Sequence, residues 1–198
     1  MFRQRKKLVV TLGATVAAIL VSATAAYATL GPGVTVTAAL KGGTVMTFAG
    51  NINSVPITVS CTSFSGSGTT GSSPSDSVPL TGSPTISGCT DSTGGSDTIT
   101  TNTTNGQWVL SVTSKKPYKA TLTIPKAGAT FASNILPGCT ITAAPTKAAQ
   151  VKGSFDGNNT DTVKNAKIKT KGSGCTSTTA KTNATVVLSP APGPPPYG

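Results

Sequence analysis

Three sets of side chains in this 198-residue chain could do chemistry: four cysteines, five aspartates and a row of lysines at alternate positions. Histidine and glutamate are absent. That removes the usual general acids and bases, and no Ser-His-Asp or Cys-His arrangement can be assembled from this chain. Glycosidase chemistry needs two carboxyls at a defined separation, and Asp76, Asp91, Asp97, Asp156 and Asp161 fall mostly in turn-like sequence. Asp91-Ser92-Thr93-Gly94 imitates an aspartic-protease loop but has an extra residue before glycine and no second copy. Ser-x-x-Lys does not occur, so Ser-Lys catalysis has no motif to start from. The expectation is a protein that is not an enzyme and uses no cofactor.

Metal binding is opposed by the same inventory. Without His or Cys-x-x-Cys, a four-thiolate zinc site would have to close over very wide spacings. Asp156-Gly157-Asn158-Asn159-Thr160-Asp161 places oxygen donors at alternate positions, yet the sixth-position glycine and distal glutamate of a calcium loop are missing. A turn joining two strands is the simpler reading. Cys61, Cys89, Cys139 and Cys175 then read as two disulfides formed in an oxidising compartment. Of the three pairings, Cys61 with Cys89 and Cys139 with Cys175 closes the shorter loops and is preferred.

Lys167, Lys169 and Lys171 alternate with Ile168 and Thr170, so a strand would line their ammonium groups along one face, with Lys164 nearby. Such a ladder either docks an anionic polymer or guards an exposed sheet edge against pairing. Lys115, Lys116 and Lys119 form a second basic group beside Tyr118. Past residue 28 the chain holds twelve lysines, no arginine and five aspartates, a net charge of +7. Lysine without arginine is suited to charge attraction rather than forked base readout, so no specific nucleic acid is expected. Trp108, the one tryptophan, sits in Gln107-Trp108-Val109-Leu110-Ser111-Val112 and reads as a core anchor.

The elements that must hold these groups are strands. Residues 1–28 have the form of a bacterial-type secretory signal peptide: Arg3, Arg5, Lys6 and Lys7, an apolar run over 8–23, and Ala26-Tyr27-Ala28 as a cleavage site. The expected location is therefore secreted or cell-surface, with no membrane span after cleavage. Beyond the signal, alternating apolar and β-branched runs at 34–40, 44–49, 55–61, 107–114, 119–124, 139–143, 148–155, 163–170 and 183–188 predict strands. Residues 62–84 read as a Ser/Gly-rich flexible loop, 90–105 as loop with a weak strand signal at Ile99, and 190–198 as a Pro-rich tail.

One tripeptide recurs as Gly88-Cys89-Thr90, Gly138-Cys139-Thr140 and Gly174-Cys175-Thr176, which would suit equivalent turns in two similar halves. The fold expected is all-β: an antiparallel β-sandwich, immunoglobulin-like or jelly-roll-like, over 29–189 and stapled by disulfides. The leading functional expectation is a secreted, non-enzymatic protein with a structural or adhesive role at the cell envelope. Its partner would be an anionic envelope polymer, met through Lys164, Lys167, Lys169 and Lys171, or another surface protein. The alternative is a soluble extracellular binding module for a small hydrophobic ligand or a glycan, which a deep apolar pocket would favour.

Overall fold

The computed structural model describes residues 32–72, 76–113, 116–134, 136–156 and 159–190, and the segment read as a signal peptide and most of the one read as a Pro-rich tail lie outside them. The chain forms thirteen strands: β1 (Thr35–Leu40), β2 (Met46–Ile52), β3 (Val55–Thr69), β4 (Ser77–Pro79), β5 (Thr85–Asp91), β6 (Ser96–Thr101), β7 (Val109–Val112), β8 (Lys119–Ile124), β9 (Ala129–Ser133), β10 (Thr140–Ala143), β11 (Ala149–Phe155), β12 (Thr160–Ser173) and β13 (Thr179–Ser189). All pairings are antiparallel.

The expected sandwich does not form. Eight strands close on themselves in the order β2-β3-β5-β6-β9-β10-β12-β13 and back to β2, which makes a barrel. The remaining strands extend the same sheet: β1 lies against the far ends of β13 and β3, and β11, β8, β7 and β4 continue outward from β12. A bridge between Gly68 and Leu80 brings this extension back to β3.

Two features of the chain produce closure where local pattern suggested two sheets. First, β3, β12 and β13 are long, at 15, 14 and 11 residues, and each changes partner along its length. Second, β5, β6 and β9 are staves of the barrel that carry no continuous apolar run: TISGCTD, SDTITT and ATFAS. A barrel stave shows the same inward and outward alternation as a sandwich strand, so the pattern alone does not separate the two. Residues 62–69, expected in the loop, belong to β3, and a short strand, β4, stands at Ser77–Pro79.

The disulfides join Cys61 to Cys89 and Cys139 to Cys175. Cys61 and Cys89 face each other directly across β3 and β5. The recurring tripeptide has a local explanation, since Gly88, Gly138 and Gly174 have φ of 64°, 78° and 72°. Each supplies a left-handed residue before its cysteine, a conformation glycine adopts without steric cost. Around the barrel β2, β3, β5 and β6 from the first part of the chain pair on into β9, β10, β12 and β13 from the second, so the two parts share one closed sheet.

Apolar side chains gather in two clusters. The larger includes Val36, Phe64, Leu80, Trp108, Ile124, Phe155 and Leu188; the smaller holds Ile52, Ile57, Val59 and Ile141 together with Cys61, Cys89 and Cys139. Trp108 is 1% exposed and its indole Nε1 donates to the Asn102 carbonyl at 3.0 Å, which satisfies its one donor inside the core.

Candidate functional site

Where the two clusters meet, the barrel is not filled. A cavity of about 130 Å³ lies inside it, and every one of the eight staves contributes to its wall. Period-2 alternation explains the lining: Phe48, Gly50 and Ile52 from β2, Ile57 and Val59 from β3, Ala129 and Phe131 from β9, Ile141 and Ala143 from β10, Ile168 and Thr170 from β12, and Ala180 and Thr182 from β13. Ile86 and Ile99 come from β5 and β6. One end is closed by side chains of the sheet extension, Leu122, Ile124 and Val151, with Trp108. Exposed Asn51 and half-buried Ser177 also line the cavity, so it reaches solvent on their side.

Eight staves is the size at which a barrel interior either packs solid or holds one small ligand. Glycine and alanine at positions 50, 129, 143 and 180 leave the space that larger residues would fill. No charged side chain lines it. The polar groups are few: the Thr170 and Ser177 hydroxyls, 2.8 Å apart and hydrogen-bonded, Thr130, Thr182, which is 2% exposed, and Asn51 on the solvent side. Such a wall accepts an uncharged, mostly apolar molecule carrying at most a hydroxyl or carbonyl.

The aspartates lie outside this cavity. Asp91 closes the β5–β6 turn: its Oδ1 accepts from the amides of Thr93 at 2.8 Å and Gly95 at 3.0 Å and from the Thr93 hydroxyl. Led by that hydroxyl, these bonds hold its carboxyl below the usual range against the opposing effect of burial. Asp97 is pushed up, first by burial and then by the nearby Asp91 charge, with the Ser133 hydroxyl opposing. The pair has divergent acidities, and neither residue lines the cavity. Asp156 ties the β11–β12 turn, its Oδ1 accepting from the amides of Asn159 and Thr160, each at 3.0 Å. Among the described residues no group of acidic or cysteine side chains is arranged to hold a metal ion.

Asp161 is the odd one. It points into the larger core between Phe155 and Val186, is 8% exposed, and its Oδ1 has no hydrogen-bond partner among the described residues. Burial pushes its pKa up to about 7, only partly offset by the Thr162 amide. Gly153 makes room for it: a side-chain carbon there would run into the Asp161 carboxylate.

Lys164, Lys167, Lys169 and Lys171 all stand exposed on β12. β12 pairs with β13 over 160–169, with β11 only at Asp161 and Thr162 and with β10 only over 170–173, so around Lys164 and Lys167 it has a ladder on the β13 side alone, and a guard of that open side remains the alternative to a docking role. Lys116 sits over the Tyr118 ring at 5.9 Å, which accounts for that pair as a surface contact. What sequence reasoning missed is the contribution of Ile86, Ile99 and Phe131 to the cavity. Their signal is a single large residue between two immediate neighbours that are Thr, Ser or Ala.

The chain matches no protein-family model, and no curated protein or solved structure is found to be similar to it. Function must therefore be argued from the geometry of the barrel and its surface.

Proposed function

We propose that this is an exported binding protein that carries one small, uncharged, largely apolar molecule inside its barrel. The observation behind this reading is the cavity of about 130 Å³ walled by all eight staves. Its volume is close to that of an engineered cavity of about 150 Å³ that stays dry and takes up benzene or xenon. Burial of such a ligand removes apolar area from water on both partners at about 25 cal/mol per Å². The two disulfides suit an oxidising location. Apolar residues face inward while the lysines of β12 face out, the reverse of a barrel that spans lipid. The structural or adhesive role read from sequence draws on the signal peptide, the even cysteine count and the missing catalytic residue types, none of which calls for a cavity.

Trp108 lines the cavity and is the only tryptophan, so it is a built-in reporter. Titration with benzene, toluene and cyclohexanol is expected to shift its emission and to raise the melting temperature with ligand concentration, as binding to the native state must. Ala143→Phe, which puts a ring into the cavity, should abolish both responses while the fold persists. Unchanged emission and melting with all three compounds would sink the proposal.

A further inference from the structure

The aspartates are sorted by the fold. Asp91 and Asp161 are buried and Asp97 is partly so, which leaves Asp76 and Asp156 as the acids outside against the lysines. Four of the lysines share one outer face of the barrel. Lys167, Lys169 and Lys171 project from β12, and on β13 Lys181 stands directly opposite Lys167. Like charges facing each other across a ladder weaken it. No ion pair relieves them among the described residues, and Lys169 and Lys171 face only Thr179 and Thr142.

We infer that this face is a docking surface for a linear phosphodiester polymer without bases. Alternate residues on a strand are about 7 Å apart, so the three β12 lysines form a straight row that a thread of repeating charges can follow. Lysine binds phosphate as a point charge, and with no arginine past residue 28 the face reads charge density rather than forked geometry. A nucleic acid single strand would need aromatic platforms for its bases, and the outward neighbours here are threonine and alanine. A lipid surface would need apolar side chains to insert. The exposed large hydrophobics, Val45 and Val55, lie on neither β12 nor β13. The surface is on the outside of the wall whose inside lines the cavity, so the two binding events are separable.

The test is a binding titration of the full chain with poly(glycerol phosphate) of defined length, run from low to physiological salt. Affinity should fall with a slope of up to about 3 in log–log form, as four released counterions require. Lys167, Lys169, Lys171 and Lys181 changed together to Gln should lower affinity at least tenfold. Changing Lys119, Lys126 and Lys152 to Gln should alter it less than threefold, since these lie on other strands and the loop after β8. Thermal melting of each variant and its benzene response establish that the fold and cavity survive. Equal loss in both sets of variants would reduce the effect to net charge and overturn the assignment. So would equal or tighter binding to vesicles of phosphatidylglycerol and phosphatidylcholine, or to single-stranded DNA, in place of the polymer.

Discussion

Asp161 is the residue whose environment departs furthest from what its chemistry prefers. A carboxylate placed between Phe155 and Val186 with one oxygen unpartnered is retained far more easily as the neutral acid. Its native pKa of about 7 lies above the ordinary 3.8, so the native state binds a proton that the unfolded chain releases. Stability must then fall as pH rises through the interval from about 4 to 7 and level off above it. A shift of about three units corresponds to roughly 4 kcal/mol. Asp91, whose pKa is lowered, acts with the opposite sign and its contribution is lost as pH falls below the ordinary carboxylate value. Denaturant melts across pH should therefore show a maximum on the acidic side of neutrality. In Asp161→Asn, which keeps the shape without the ionisation, the decline toward pH 7 should shrink to what Asp97, also raised by burial, contributes; a variant with the wild-type profile would show that Asp161 is not its source.

Among the elements, β12 and β13 show how far local pattern carries. Sequence places strands at 163–170 and 183–188, and the structure extends them to Thr160–Ser173 and Thr179–Ser189. The bend that lets β12 serve both the barrel and the sheet extension is a break in register between Val163 and Ala166. There Asn165 takes φ of 50°, a conformation asparagine tolerates better than most residues. Asn183 holds it: its Oδ1 accepts the Asn165 amide at 2.8 Å and its Nδ2 donates to the Thr47 hydroxyl at 3.3 Å. Asn183→Ala should cost about 1 to 2 kcal/mol, the usual result of stranding a backbone donor, read as a lower denaturation midpoint with unchanged slope. No stability change would mean that the bulge holds without the clamp. None of this clamp is legible beforehand, because Asn165 and Asn183 are ordinary turn or surface residues until a ladder brings them together. By contrast β8 was readable at its observed bounds, because Leu122 and Ile124 alternate with threonines over a full strand. The staves β5, β6 and β9 stayed hidden because their inward side is filled by one or two large residues and their remainder is Ser, Thr, Gly or Asp.

For the whole molecule, closure is a long-range property: Ala180 pairs with Gly50 and Asn183 with Thr47, contacts that no local window contains. The disulfides secure the part of the barrel with the least apolar material. Cys61, Cys89 and Cys139 belong to the smaller cluster, whose Ile52, Ile57, Val59 and Ile141 also form one wall of the cavity. The larger cluster, with Trp108, is not cross-linked. The bridges span 28 and 36 residues, and each should contribute about 4 kcal/mol by restricting the unfolded chain. Together that approaches the whole stability of a typical domain. Cys139→Ser with Cys175→Ser should leave a folded protein weaker by about 4 kcal/mol, and its loss should be felt first at the cavity wall. Benzene affinity is expected to fall at denaturant concentrations where Trp108 emission is still native, giving two transitions where the wild type shows one. If binding and Trp108 emission are lost together in the double variant, the two clusters fold as one cooperative unit and the bridges support the barrel as a whole rather than its cavity wall.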